Sequence, residues 1–169
     1  MKIDLVYNPV AGSFREAMLA RLVDAFRAYG MDAEALPTRR EGVHLRGAAD
    51  LICVHGGDGT LRDTVQALGE QAGQTPLAIA PAGTINLVAR ELGYQRDPHR
   101  LAAQIAAAWE RGPETWTRSP LYRLGSMPIV SCLSIGPDSH AVATVSGALK
   151  KRIGRYAYVA AMMRLMRRW

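Results

Sequence analysis

Cysteine is scarce in this chain: 169 residues hold two, Cys53 and Cys132. They lie far apart, each in an apolar run, with no C-x-x-C and no zinc spacing to the four histidines. A disulfide scaffold and a structural zinc site are thereby excluded, and the reading is two buried free thiols in a reducing compartment. Long hydrophobic runs are also missing. No stretch approaches the roughly 20 apolar residues that a membrane span requires. The chain enters a strand at once, with Asp4 early and no apolar leader, so cytoplasmic residence is expected. Acidic residues stop at Asp138, whereas Lys150, Lys151, Arg152, Arg155, Arg164, Arg167 and Arg168 all follow it. The net charge of +6 is therefore concentrated at one end, which suits an anionic partner such as phosphate, nucleic acid or acidic lipid. Three familiar signatures are absent: G-x-x-x-x-G-K-[ST], the three-glycine dinucleotide fingerprint and G-x-S-x-G. A Walker P-loop is excluded accordingly, the dinucleotide fingerprint fails, and the missing elbow counts against a serine hydrolase.

What is present is an ordinary globular composition, 49% hydrophobic and 21% charged, in a length that gives one domain a real core. The central stretch is Val54-His55-Gly56-Gly57-Asp58-Gly59-Thr60. The apolar run Leu51–Val54 precedes it and a helical pattern from Leu61 to Leu68 follows. Strand, glycine turn and helix are expected, with one carboxylate, Asp58, in the turn and Thr60 and Asp63 resembling a capping box. The helix N-terminus beyond it offers backbone N–H groups and the positive end of a dipole.

Elsewhere, Ile3–Tyr7, Asp32–Pro37, Asp50–Val54 and Pro76–Ala80 read as strands. Helices are expected from Ser13, with Glu16 as its capping-box partner, to Ala28, over Ile85–Leu92 and over Pro98–Glu110. The polar segment Thr38–Ala49 is expected to be part helix. Alternation of strand and helix predicts an α/β fold with a doubly wound, mainly parallel sheet in an α/β/α layer arrangement. The pattern changes after Gly112-Pro113. Residues 1–115 are read as a nucleotide-binding domain, and 116–169 as the incomplete beginning of a β-rich second domain. That second part holds β-like runs at Thr115–Arg123 and Met127–Ile135, a helix over Asp138–Leu149, and a basic amphipathic helix over Arg155–Trp169.

In open α/β sheets ligands sit outside the carboxyl ends of the strands. Three loops leave that edge: Asn8–Gly12, Gly56–Thr60 and Pro81–Asn86. Each is rich in Gly or Pro, carries a polar side chain and runs into a helix N-terminus. Together they predict a phosphate-binding crevice with a carboxylate in it, an arrangement suited to phosphoryl transfer.

Asn8-Pro9-x-Ala11-Gly12, Gly56-Gly57-Asp58-Gly59-Thr60, Pro81-x-Gly83-Thr84-x-Asn86 and Ser134-Ile135-Gly136-x-Asp138 occur in an order that resembles the diacylglycerol kinase catalytic-domain family, which includes bacterial lipid kinases and sphingosine kinases. Gly-Gly-Asp-Gly-Thr alone is shared with NAD kinases; the other loops narrow the resemblance. It implies an ATP- and Mg²⁺-dependent kinase acting on a lipid hydroxyl, diacylglycerol- or sphingosine-like. Asp58 would be the catalytic base or a metal-linked carboxylate, directly or through water. Asn8, Pro9, Gly12, Gly56, Gly57, Gly59, Thr60, Gly83, Thr84 and Asn86 would hold the nucleotide, and Asp138 would meet the lipid head. The implied partners are ATP, a lipid substrate and, through the basic C-terminal helix, an anionic inner-membrane surface; no nucleic acid is expected. Leu87 after Asn86, Ser139-His140, Cys132 and His55 depart from the usual pattern, and family members continue into a longer second domain. An NAD-kinase-like enzyme and a non-catalytic nucleotide- or lipid-binding module stay open as alternatives, as does whether this chain acts alone.

Overall fold

The computed structural model describes residues 1–11, 13–134, 136–145, 153 and 156–167, leaving aside the side chains of residues 137, 138, 141 and 142. The chain divides into two compact units, Met1–Ser131 and Cys132–Trp169.

The first unit is built on four parallel strands, β1 (Lys2–Tyr7), β2 (Asp32–Pro37), β3 (Leu51–Gly56) and β4 (Leu77–Pro81), in the order β2-β1-β3-β4. The apolar run in β3 is long enough to bury all six of its residues, as expected of an inner strand covered on both faces. Side chains alternate between two cores. Ile3, Leu5, Cys53, Ala78 and Ala80 face one side. There α1 (Glu16–Ala28) contributes Leu19, Leu22, Ala25 and Phe26, and α4 (Pro98–Arg111) contributes Leu101, Ala102 and Ile105. Both sets recur at helical spacing. Val6, Ile52, Val54 and Ile79 face the other side, against Leu61, Val65 and Leu68 of α2 (Asp58–Leu68) and Ala89 of α3 (Leu87–Glu91). The chain moves from β1 outward to β2 and then back past β1 to β3. This places the topological switch point between β1 and β3, the two strands whose carboxyl ends carry the first two loops.

Two expected features take other forms. Residues 38–50 hold no helix; Arg39 and Gly42 close a turn, and Gly42 and Gly47 take φ of +128° and +75°. The segment is anchored instead by Arg46. Asp4, buried in β1, accepts from the Arg46 Nε at 2.7 Å and from its backbone N–H at 3.1 Å, while Glu34 of β2 takes the other side of the guanidinium. The second difference lies in the caps. Ser13 does not cap α1, whose N-cap is Arg15 with no side-chain bond. Likewise α2 begins at Asp58, so Thr60 lies inside it and Asp63 pairs with Arg62 at 2.9 Å. Ser13 instead reaches Ala82 of the third loop, and Thr60 is buried against Gly56 of its own loop. Among the described helix starts, α4 alone is capped as a local pattern prescribes, Asp97 accepting from Arg100 N at 3.1 Å.

The β-like stretch after residue 115 resolves into one antiparallel hairpin, β5 (Tyr122–Leu124) and β6 (Met127–Ile129). Its two-residue turn puts Gly125 at φ +60°, a conformation that turn demands at its first position. Trp116 stacks on Trp109 of α4 with ring centroids 5.3 Å apart and donates its indole N–H to Ala108 O. The second unit contains α5 (Pro137–Thr144) and α6 (Tyr156–Met166), which pack on each other. The expected continuations of these helices over 146–149 and 168–169 lie outside the described residues. Among the described residues no helix is long and apolar enough to cross a membrane.

The two thiols differ. Cys53 is fully buried and its thiol is pushed up to about 12, mainly by desolvation, with the Ala80 backbone opposing. Cys132, expected to be buried, is exposed. A run of apolar letters cannot separate the two, because burial depends on what packs over the run. Thiolate is the reactive form. Titration of the native protein with an aromatic disulfide should therefore release one equivalent at once and the second only on unfolding. Two fast equivalents would place Cys53 outside the core.

Candidate active site

The first loop closes on itself. Asn8 Oδ1 accepts from Val10 N at 3.0 Å, Asn8 O accepts from Ala11 N at 3.2 Å, and Ala11 O accepts from Phe14 N at 3.0 Å. Asn is suited to this because its side chain imitates a backbone turn. Phe14 stacks on Tyr7 at 5.3 Å. Ser13, next in the chain, donates its hydroxyl to the carbonyl of Ala82 in the third loop. Pro9 is exposed beside this turn; Gly12 lies outside the described residues.

The second loop is the glycine turn. A Cβ on Gly56 would lie 2.6 Å from Cβ and Oγ1 of Thr60, so the absence of a side chain there is what lets Thr60 bury itself. Thr64 in turn donates its hydroxyl to Thr60 O at 2.8 Å. Gly57 meets the third loop backbone to backbone: a Cβ on Gly83 would stand 2.5 Å from Gly57 Cα. Ala82 N donates to Gly56 O at 2.9 Å. Gly59 is different. Nothing lies within 4 Å of where its Cβ would be, and its φ is not positive. The protein itself therefore gives no steric reason for glycine there; the bare backbone faces open space. The first helical bond is Leu61 N to Gly57 O at 3.1 Å, so the N–H groups of Asp58, Gly59 and Thr60 have no backbone acceptor.

Asp58 is the link between second and third loops. Its Oδ2 accepts from Leu87 N at 3.1 Å and its Oδ1 from Val88 N at 3.2 Å, which caps α3 from another part of the chain. Two backbone donors thus fix the plane of the carboxylate and leave lone pairs on both oxygens. The turn into α3 needs Asn86 at φ +54° and ψ +57°, a left-handed geometry that Asn tolerates best among residues with a side chain. Its buried amide is satisfied at both ends by Gly83, accepting from N and donating to O at 2.7 Å each. Asn86 accordingly shapes the third loop, and Thr84 is its exposed tip. Asp138 belongs to the second unit, as the second residue of α5.

Three loops separated by up to about seventy residues are therefore joined into one rim. Ser13 ties the first to the third, and Asp58, Gly57 and Gly56 tie the second to the third. Sequence reading had no access to these ties, since Asp58 and its two partners are 29 and 30 residues apart. Residues 2–114, more than half of the chain, match the profile of the diacylglycerol kinase catalytic domain. The chain belongs to that family. It is 34% identical over 102 residues to a diacylglycerol kinase of Staphylococcus haemolyticus, covering 55% of this chain and 31% of that protein. It is also 34% identical over 108 residues to a probable lipid kinase, YegS-like, of Pseudomonas putida, covering 64% and 34%. A crystal structure of a diacylglycerol kinase from Bacillus anthracis superimposes with a TM-score of 0.53 and 31% identity, over 63% of this chain and 40% of that one. The fold of the first unit is thus that of the diacylglycerol kinases, and the chain spans about a third of the length of these curated relatives.

One buried polar group of the lipid-kinase fold was given no role on sequence grounds. His55, 5% exposed, has an Nδ1 without a partner. Desolvation lowers its pKa, with the Ala80 backbone working the other way. The unfolded chain therefore takes up this proton first. Stability is whole above the ordinary value of 6.5 and declines as pH falls below it toward the depressed folded value. The slope from this one group is at most about 1.4 kcal/mol per pH unit. Urea midpoints measured between pH 7.5 and 5.5 should fall, and His55→Gln should flatten the decline. An equal slope in that variant would assign the loss to other groups.

Proposed function

We propose that the rim binds the phosphates of ATP and that the protein transfers the γ-phosphate to a lipid hydroxyl of the diacylglycerol or sphingosine kind. The supporting observation is Asp58: a carboxylate held by two backbone donors, next to three N–H groups without backbone acceptors and a glycine whose open side has no structural cause. The N–H groups of Asp58, Gly59 and Thr60, at the positive end of an eleven-residue helix, suit anionic oxygens. Gly59 lets them approach. Gly56, Gly57, Gly83, Asn8 and Asn86 hold the three loops in register around that approach.

The donor set fits Mg²⁺ as well. Among the described residues no cluster of three or more acidic, His or Cys side chains exists that could cage a metal. Mg²⁺ bound to one carboxylate, water and substrate phosphate needs no such cage, and Asp58 would be that carboxylate, directly or through water. When bound, the ion would neutralise phosphate charge. The remaining chemistry falls to Asp58 itself, whose uncommitted lone pairs can take the proton of the lipid hydroxyl as it attacks.

Peripheral membrane contact belongs to this proposal. On α6 the exposed residues Tyr156, Val159, Met163 and Met166 follow one helical stripe, with Arg164 and Arg167 nearby. An apolar stripe with basic neighbours suits an anionic interface in the cytoplasm. Sedimentation with anionic but not neutral vesicles is expected.

Transfer of label from [γ-³²P]ATP to diacylglycerol, sphingosine or NAD tests the main reading. Label in lipid is the expected result. Label in NAD would replace it with a soluble-nucleotide kinase, and no label with retained ATP binding would reduce the chain to a binding module.

A further inference from the structure

Leu87 is the first residue of α3, and its N–H is the donor that holds Asp58 Oδ2 at 3.1 Å. It is 41% exposed and belongs to neither apolar core. Its two successors differ: Val88 packs against the core on the α2 side and Ala89 is buried in it. Helix building gives no reason for leucine at this position. Near a helix N-terminus an acidic side chain is the stabilising one, and several polar residues match the intrinsic propensity of leucine. Within the sheet β3 lies between β1 and β4. The loop after β4 carries Leu87, and the loop after β1 carries Val10, 79% exposed. The rim therefore presents hydrocarbon from both loops that flank the one with Asp58. Bound phosphates have no use for it.

We propose that Leu87 is a specificity-determining residue: it receives the hydrocarbon next to the acceptor hydroxyl and so selects a lipid alcohol over a fully hydrated one. The inference rests on Asp58 taking the proton of that hydroxyl, as proposed above. Distance carries it. With an N–Cα bond of about 1.46 Å, Leu87 Cα stands at most about 4.6 Å from Asp58 Oδ2. A hydroxyl that donates to this carboxylate lies about 2.7 Å from an oxygen, and the carbon that bears it about 4 Å away. The acceptor carbon and Leu87 thus share the surroundings of one carboxylate. A carbon chain there takes the apolar surface of Leu87 out of water. The neighbouring hydroxyls of a ribose would instead give up water to the same leucine with no hydrogen bond in return. Even one methylene of apolar contact discriminates by about 10- to 200-fold.

The test is titration of the whole chain with 1,2-dioctanoylglycerol and, separately, with glycerol, followed by NMR of ¹³C-labelled leucine methyls in the presence of Mg²⁺ and a non-hydrolysable ATP analogue. The methyl signals that vanish in Leu87→Ser identify Leu87. They are expected to shift saturably with dioctanoylglycerol and to stay still with glycerol at the same concentration. Leu87→Ser should weaken dioctanoylglycerol binding by about tenfold or more, with ATP affinity and circular dichroism unchanged. Leu87→Met, which conserves volume and apolar character, should restore it to within about threefold. Leu124→Ser, in the exposed hairpin, should leave it unaltered. Three results overturn the inference: Leu87 methyls that do not move, affinity retained in Leu87→Ser, or an equal loss in Leu124→Ser, which marks unspecific apolar binding. Label transfer from ATP reads the kinase proposal separately. Label in lipid with unmoved Leu87 methyls defeats this inference alone, and no label with shifted methyls defeats the kinase reading while the acceptor contact stands.

Discussion

Asp58→Asn should lower lipid phosphorylation by a factor of about 10³ or more, the upper range for loss of a general base, while lowering the melting temperature by no more than about 6 °C. The asymmetry follows from the two tasks of this side chain. As a cap for α3 it accepts from Leu87 N and Val88 N, one on each oxygen; Asn keeps one of these acceptors and turns a donor toward the other N–H, so one bond of the cap is lost, at about 0.5–1.5 kcal/mol. As a proton acceptor Asn does not serve. Asp58→Ala should separate the tasks further by also costing about 0.5–2 kcal/mol of stability, the usual loss when a cap is removed. Activity of Asp58→Asn within a factor of two of the native rate would take the carboxylate out of the chemistry and leave it a purely architectural residue.

Gly83→Ala should be the most damaging single methyl in the first unit. The new Cβ would stand 2.5 Å from Gly57 Cα and 2.7 Å from Asn86 Oδ1. Neither can yield, because one is backbone and the other is closed on Gly83 itself. Overpacking of this kind costs about 1–3 kcal/mol, and the upper end applies where backbone meets backbone. At roughly 2–4 °C per kcal/mol for a chain of this size, the melting temperature should drop by about 6–12 °C. Gly59→Ala is the counterpart. Its Cβ meets nothing in the protein, and alanine is the better helix former by up to about 1 kcal/mol. That variant should melt no lower than the native protein and yet bind ATP at least tenfold more weakly, because the methyl occupies the approach to the N–H groups. Thermal scans in the absence of nucleotide, followed by ATP titration, check both. Unchanged ATP affinity in Gly59→Ala would move the phosphates away from this turn.

The four strands and the three loops were legible because their signals are local: short apolar runs that end in Gly, Pro or Asn. The parallel order followed from alternation with helices such as α1 and α4, whose apolar spacing is plain. What sequence could not supply was every interaction that joins distant segments. Ser13 and Thr60 looked like caps because capping residues are recognised by their neighbours. In the fold Ser13 answers to the distant Ala82, whereas Thr60 turns into the space left by the bare Gly56 in its own loop. Residues 38–50 looked partly helical because they are polar and contain no proline, but an ion pair to Asp4 competes with the helix and prevails. Cys132 looked buried because apolar letters surround it. His55 looked incidental, since nothing in its own neighbourhood foretells a buried nitrogen without a partner.

The anchoring of residues 38–50 has a dynamic corollary. A connection with no regular ladder of its own, fastened by Arg46 and by Val43 and Leu45 against the core, should open as a unit distinct from the sheet. Its amides should exchange with solvent deuterium through a local release that leaves β1 and β3 protected. Slow opening is therefore expected beside the outer strand β2, in the segment just ahead of the strand that carries the glycine turn, and the pairing of Asp4 with Arg46 should set how often it occurs.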